Sequence, residues 1–146
     1  MNTKKKIIVP LRKIAIEKNG CHLAVDAVIN GKAAVLILDS GASQSVFDQQ
    51  RMKVFAKGVK QEKIKTLSSG LGTSSMKSHI MKISSLRLGE LLLRNRIFVL
   101  LDLSHVNQSY AAMAMDEIDG VIGGDLLQQF NAVIDYGKCR MVLNKK

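Results

Sequence analysis

The sequence predicts a mainly-β fold in one domain. Short runs rich in β-branched and other aliphatic residues recur along the chain, and glycine-containing turns separate them. The segments with helical spacing are brief, and no internal repeat, linker or low-complexity block divides the chain. A length of 146 residues suits one ordinary domain, so we expect residues 1–146 to form a single domain.

Residues 11–38 carry the strongest strand signals. Three apolar runs are separated by Lys18-Asn19-Gly20 and by Asn30-Gly31. Asn-Gly favours a type I′ hairpin turn because both central residues of that turn need a positive φ. The pattern therefore predicts a three-stranded antiparallel meander. Because the run Leu36-Ile37-Leu38 is apolar on both faces, we expect the end of the third strand to be buried on both sides.

The middle of the chain is less regular. Residues 44–55 have apolar positions that predict a short helix, and residues 62–67 and 76–84 are predicted strands. Between these strands lies a stretch of serine, threonine and glycine, which predicts the tip of a mobile hairpin. Residues 86–103 are β-rich, with Arg94-Asn95-Arg96 separating two strands. Residues 104–117 are ambiguous.

The C-terminal part predicts a brief helix and a last hairpin. The helix follows Gly123 and ends near Phe130. Two short apolar runs, 132–136 and 139–143, then flank Gly137-Lys138, which predicts a tight turn between two strands.

Composition excludes several classes of protein. Apolar residues make up 47% and charged residues 23% of the chain, which is a globular composition. No apolar stretch approaches the length of about 20 residues that spans a bilayer, so we expect no membrane partner. The three histidines are isolated, which argues against a metal site, and we expect no cofactor. These histidines are His22, His79 and His105.

The charge balance of 22 basic to 12 acidic residues gives +10 and first suggests a nucleic-acid partner. The placement argues against that partner. Basic residues crowd the segments Lys4-Lys5-Lys6 and Arg12-Lys13 and are otherwise scattered, without the interleaved aromatics that single-strand binders use for stacking. A solvated basic surface explains the pattern better.

The N-terminal segment does not read as a signal peptide. Lys4-Lys5-Lys6 resembles a basic start, but the apolar run Ile7–Leu11 is too short for the hydrophobic region of a signal peptide. Cys21 and Cys139 do not form a CxxC pair, and two cysteines make no disulfide framework. We therefore expect free thiols and a cytoplasmic location.

Two motifs point to chemistry. The first is Leu38-Asp39-Ser40-Gly41-Ala42-Ser43, in which a buried strand delivers an aspartate, a hydroxyl and a glycine into a tight loop. Taken alone, Asp39 could simply cap the turn or helix that follows. The second motif, Val121-Ile122-Gly123, comes about 80 residues later and leads into the short helix and last hairpin.

Together these motifs resemble the retropepsin-like aspartic protease family, the single-domain, retroviral-type relatives of pepsin. The tail from Gly124 to Tyr136 resembles bacterial and cellular members. The resemblance covers about residues 10–144, which we expect to form the core of the domain. It implies a closed, barrel-like β fold with one or two short helices. It also implies an aspartic endopeptidase that acts on extended polypeptides.

The chemistry of this family needs two carboxylates that share one proton, with a water between them. One carboxylate activates the water, and the other polarises the scissile carbonyl. The chain has one Asp-Ser-Gly, and neither Asp119 nor Asp125 is followed by Ser/Thr-Gly. The resemblance therefore implies a homodimer in which Asp39 meets the Asp39 of a second copy.

The resemblance also implies roles for the neighbouring residues. Ser40 would hydrogen-bond across the dimer, and Gly41 would approach Asp39 closely and donate its N–H to the carboxylate. Ala42 and Ser43 complete the loop. Gly70-Leu71-Gly72 falls where the family has its flap, and Val121-Ile122-Gly123 would pass beneath the catalytic loop.

Two other functions fit the same residues. A peptide-binding or regulatory module could keep the fold with an inert Asp39, since the motif alone does not separate binding from catalysis. A stable monomer would favour that module. A basic nucleic-acid-binding β-domain would instead show an affinity that falls steeply with salt.

Overall fold

The computed structural model describes residues 5–63 and 78–145. In this part of the chain the elements follow in the order β1 (Lys5–Pro10), β2 (Arg12–Ile16), β3 (Gly20–Ile29), β4 (Lys32–Leu38), β5 (Val46–Asp48), α1 (Met52–Phe55), β6 (Glu62–Lys63), β7 (His79–Leu88), β8 (Leu91–Leu101), α2 (Ser104–Ala112), β9 (Gly120–Ile122), α3 (Gly124–Gln129), β10 (Val133–Asp135) and β11 (Arg140–Lys145).

Strands β2, β3 and β4 form the predicted antiparallel meander. Asn30 and Gly31 have φ values of 49° and 83°, as a type I′ turn requires. The first turn differs from the prediction, because its positive φ falls on Glu17 at 57°, and Gly20 already begins β3. The connection is therefore a longer loop over residues 17–19, and the Asn-Gly signal was wrong there about the turn type.

Six strands close into a barrel in the order β3-β4-β9-β5-β8-β7, and β7 pairs back to β3. The long strand β3 makes this closure possible. Its first half pairs with β2, and Ala27, Val28 and Ile29 pair with β7. The barrel encloses the main hydrophobic core, whose fully buried members include Leu36, Phe47 and Leu100. The predicted mainly-β, closed barrel fold is confirmed.

Strand β9 lies between β4 and β5, although β4 and β5 follow each other along the chain. It runs parallel to β4, with Leu38 opposite Ile122, and antiparallel to β5, with Val46 opposite Val121. The loop from 39 to 45 must therefore arch over the end of β9. This arrangement puts the two sequence motifs side by side.

Two predicted elements between residues 44 and 101 are wrong. Residues 46–48 form strand β5, and the helix is limited to Met52–Phe55. A valine and a phenylalanine in a short apolar run suit a strand as well as a helix, and pairing with β8 and β9 decides for the strand. Strand β8 is continuous through Arg94-Asn95-Arg96, because β7 pairs along nearly its whole length.

The ambiguous residues 104–117 include helix α2, which covers the outer face of the barrel. Tyr110 of α2 packs with Ala24, Ile37 and Ile118 in a second apolar cluster. Its hydroxyl lies 2.6 Å from His22 Nδ1, and burial raises the pKa of the phenol. Because Leu36 faces the barrel core and Ile37 faces this cluster, β4 is buried on both sides as predicted.

The first and last strands of the described chain form a separate sheet in the order β1-β11-β10. Ile7 and Val9 of β1 pack inward with Met141 and Leu143 of β11. Strand β1 was not predicted from the sequence. Across residues 5–63 and 78–145, no helix is long and apolar enough to cross a membrane.

Candidate active site

Asp39 lies in the loop that joins β4 to β5, directly after the last residue of β4. Its backbone N–H donates to Ile122 O at 2.9 Å, which fixes the start of the loop against β9. Asp39 is exposed, and its side-chain Oδ1 accepts the N–H of Gly41 at 2.9 Å. A backbone N–H aimed at a carboxylate oxygen holds the carboxylate in one orientation.

Gly41 is placed where the close approach to Asp39 leaves little room for a side chain. A Cβ on Gly41 would lie 3.2 Å from Asp39 Oδ1. Ser40 and Ser43 are exposed in the same loop, and Ala42 is half-buried. The bond from Ser40 to a second copy stays a prediction.

The segment Val121-Ile122-Gly123 lies against this loop. Gly123 is buried, and its N–H donates to Ser45 Oγ at 2.9 Å. The next two N–H groups, of Gly124 and Asp125, donate to Ala42 O and Ser43 O at 2.7 and 3.1 Å. Three consecutive backbone donors therefore bond the loop that carries Asp39.

Gly123→Ala is expected to destabilise the protein severely. A Cβ there would lie 2.7 Å from Ala42 O, Gln44 C and Gln44 O, and backbone atoms cannot step aside as a flexible side chain can. We expect a loss of about 3 kcal/mol or more in the free energy of unfolding, measured by denaturant titration. The matched control is Gly124→Ala, whose Cβ would meet Ala42 O at an ordinary 3.4 Å. Equal stability of the two variants would contradict this account.

Asp119, weighed above as a second carboxylate, has other partners. It is 3% exposed and directly precedes β9, and its N–H donates to Val35 O of β4 at 2.8 Å. Its Oδ2 accepts the N–H of Val35 at 2.8 Å, and its Oδ1 accepts Arg51 Nε at 2.7 Å. Arg51 also pairs with Glu117. This partly buried ion pair ties the segment before β9 to the barrel. It lies about four residues along β4 from Asp39, or ~13 Å of strand.

A cleft of about 570 Å³ opens beside this ion pair, bordered by Val35, Arg51, Glu117 and Asp119 among others. It lies towards the beginning of β4, whereas Asp39 follows the end of that strand. The cleft is therefore a different region of the surface from the Asp39 loop.

Asp125 also has partners of its own. Its Oδ1 accepts both the N–H and the hydroxyl of Ser45, at 2.9 and 2.7 Å. Ser45 was not singled out from the sequence, and Asp125 was considered only as a carboxylate beside the second motif. The sequence gives little indication of this contact, because the serine follows the first motif and the aspartate follows the second, and only the fold brings them together.

Gly70, Leu71 and Gly72, the predicted flap, lie outside the described residues. Within residues 5–63 and 78–145, no group of three or more His, Cys, Asp or Glu side chains is placed to hold a metal ion. Cys21 and Cys139 are free thiols.

The chain belongs to the aspartyl protease family. The family profile matches residues 25–126, which include Asp39, Ser40 and Gly41 and the second motif. No curated protein matches the sequence.

Three solved structures share the fold. A retropepsin-like aspartic protease from Rickettsia conorii is 17% identical with a TM-score of 0.54, over 99% of this chain and 95% of that one. The retroviral protease-like domain of Ddi1 from Leishmania major is 16% identical with a TM-score of 0.56, over 86% and 94%. EIAV protease, complexed with the inhibitor HBY-793, is 14% identical with a TM-score of 0.55, over 84% and 99%. The resemblance to retropepsin-like proteases is confirmed.

Proposed function

We propose that this protein is an aspartic endopeptidase that hydrolyses extended polypeptides at a site shared by two copies of the chain. Asp39 of each copy supplies one carboxylate, and a water between them attacks the scissile carbonyl. Residues 1–146 act as one domain, and no metal or cofactor takes part. Free cysteines accord with a reducing, cytoplasmic location.

The observation that carries this proposal is the difference in hydrogen-bond partners and exposure among the three aspartates near the two motifs. Asp119 and Asp125 each accept two hydrogen bonds from groups of their own chain. Asp39 is exposed, and its carboxylate accepts the N–H of Gly41. Asp119 is buried, and Asp125 is exposed but bonded through Oδ1 to the N–H and hydroxyl of Ser45. Among the described residues, Asp39 is thus the carboxylate of the three that is exposed and bonded only within its own loop, while the reaction requires two. A second copy is the source that the sequence offers.

Because the two Asp39 carboxylates share one proton, they have different roles in the reaction. One Asp39 is ionised and takes a proton from the water, while the other is protonated and hydrogen-bonds to the substrate carbonyl. The oxygen of the water forms a new bond to the carbonyl carbon. The protonated Asp39 gives its proton to the carbonyl oxygen, which completes a diol. As the C–N bond breaks, the amine receives the proton taken from the water, and one diol hydroxyl returns a proton to the carboxylate that gave its own. An extended substrate can also pair with strand-like backbone groups around the cleft.

The pH–rate profile tests the proposal. Activity on an unfolded or extended peptide should be bell-shaped and centred in the acid range, because the pair must hold one proton and loses it as the pH rises. A statine-type hydroxyl inhibitor, which resembles the diol, should abolish cleavage. Flat activity from about pH 4 to about pH 9 would contradict the mechanism. Peptide binding without cleavage at any pH would instead identify an inert peptide-binding module.

A further inference from the structure

Ser45 and Asp125 form a hydrogen-bonded pair at the base of the Asp39 loop. Ser45 is 2% exposed. Its N–H and its hydroxyl both donate to Asp125 Oδ1, at 2.9 and 2.7 Å, and its hydroxyl oxygen accepts the N–H of Gly123 at 2.9 Å. One buried side chain therefore joins the end of the loop to the segment against the loop and to the start of α3.

The pair acts at the C-terminal end of the loop. The middle of the loop, Ser40 and Gly41, is exposed and has little packing of its own. Its order depends on the bonds that Ala42 O and Ser43 O accept from residues 124 and 125, and on the contacts at its two ends. At the first end Asp39 N–H bonds Ile122 O, and at the other end Ser45 is bonded to Gly123 and Asp125. Hydrogen bonds to a carboxylate are stronger than neutral ones, which makes the Ser45 end a firm anchor.

We propose that Ser45 and Asp125 are positioning residues that fix the orientation of the Asp39 carboxylate. The inference rests on the proposed function, since orientation matters only where Asp39 meets substrate. Neither residue touches the reacting atoms in this mechanism. They act through the loop and through residues 123–125. Two carboxylates that share a proton and a water tolerate displacements of only about 0.5 Å, so a loosened loop lowers the rate of the chemical step.

Ser45→Ala and Ser45→Thr are the variants that test this role. Alanine removes both side-chain hydrogen bonds and leaves the buried N–H of Gly123 without a partner. Threonine keeps the hydroxyl. With active sites titrated by a tight statine-type inhibitor, Ser45→Ala should lower kcat per site by about 10- to 100-fold and change KM by less than about twofold. Ser45→Thr should restore most of the loss.

Asp125 gives an independent check on the same contact. Asp125→Ala should lower kcat per site as Ser45→Ala does, and Asp125→Asn, which keeps an acceptor oxygen, should lower it less. The double variant Ser45→Ala/Asp125→Ala should lose less than the product of the two single losses, because both single variants remove the bond from the Ser45 hydroxyl to Asp125 Oδ1. Additive losses would overturn the proposed pair.

Two control variants change the same residue types elsewhere. Asp102 accepts the N–H of Ser104 ahead of α2, where hydrogen bonding to Ser104 lowers the pKa of the carboxyl, and Ser109 donates to His105 O within α2. Asp102→Asn and Ser109→Ala should keep wild-type kcat. A merely structural role for Ser45 would reduce the titrated active fraction and the melting temperature, but would leave kcat per site and the width of the pH–rate profile unchanged. That result would overturn the inference.

Hydrogen exchange separates failure of this inference from failure of the proposed function. If the wild-type protein cleaves no peptide, the endopeptidase proposal fails, and exchange then decides whether the pair anchors the loop. The amides of Gly124 and Asp125 donate to loop carbonyls, so they should exchange faster in Ser45→Ala than in Ser45→Thr. Equal protection in the two variants would show that Ser45 does not anchor the loop.

Discussion

Asp39→Asn is expected to lower kcat/KM for peptide cleavage by at least about a thousandfold, because asparagine can neither accept the proton of the water nor share one with the second carboxylate. The fold should survive the change, since the amide oxygen of asparagine can still accept the Gly41 N–H and the residue is exposed. Cleavage of a reporter peptide and thermal melting, measured on the same sample, test both statements.

Asp26→Asn is a matched control for this loss. Asp26 is an exposed aspartate on β3, and its partner Arg12 is exposed too. An exposed ion pair of this kind contributes at most about 1 kcal/mol, so its loss should leave activity and melting almost unchanged. A well-folded Asp39→Asn protein with full activity would show that Asp39 is not catalytic.

Mixing wild-type chains with an excess of Asp39→Asn chains is expected to extinguish most of the activity. Each mixed dimer has one carboxylate at its shared site. With random pairing and a ninefold excess of the variant, about a tenth of the wild-type chains remain in wild-type dimers, so activity per wild-type chain should fall to about a tenth. Subunit exchange must reach equilibrium before the assay.

Dilution of the wild-type protein tests the same requirement. Specific activity should fall when the chain concentration drops below the dissociation constant of the dimer, and it should return on concentration. Specific activity that is unchanged by both mixing and dilution would mean that the site lies within one copy. Asp119 or Asp125 would then be the candidate for the second carboxylate, although each already accepts hydrogen bonds from other groups.

The parts of the fold that could be predicted are those with short-range signals. Asn30-Gly31 demands positive φ at two successive residues, and few structures other than a hairpin provide it. The run Leu36-Ile37-Leu38 is apolar on both faces, so burial on both sides follows from the hydrophobic effect alone. The motif around Asp39 is contiguous, so its position directly after a strand could also be predicted, while its catalytic role stays a prediction.

The parts that escaped prediction depend on partners far away along the chain. Residues 46–48 form a strand because they pair with β8 on one side and β9 on the other. Their own sequence is compatible with a helix as well. Strand β1 exists because β11, at the other end of the described chain, pairs with all six of its residues. The link between Ser45 and Asp125 spans 80 residues, a separation at which spacing carries no information about contact.

Helix α2 shows how long-range contacts also resolve an ambiguous segment. The sequence of residues 104–117 favours neither helix nor loop. In the structure the side chain of Asn107 donates to Ile118 O at 3.1 Å and accepts the Ile118 N–H at 2.7 Å, which clamps the helix to the chain that leaves it. Tyr110 then fills the outer cluster. These tertiary contacts of the Asn107 amide and the Tyr110 ring stabilise the helical conformation of the segment.

The insertion of β9 between β4 and β5 has a consequence for how the loop that carries Asp39 is assembled during folding. Strands β4 and β5 cannot pair with each other as a simple hairpin. The strand that lies between them, β9, is formed by residues 120–122. Pairing across such a separation is slow, and it waits on closure of a long loop. During synthesis, Asp39 leaves the ribosome long before the strand that receives its N–H. A growing or truncated chain that stops short of Gly120 therefore carries Asp39 without this support, and the activity proposed above requires residues 120–122 to be in place.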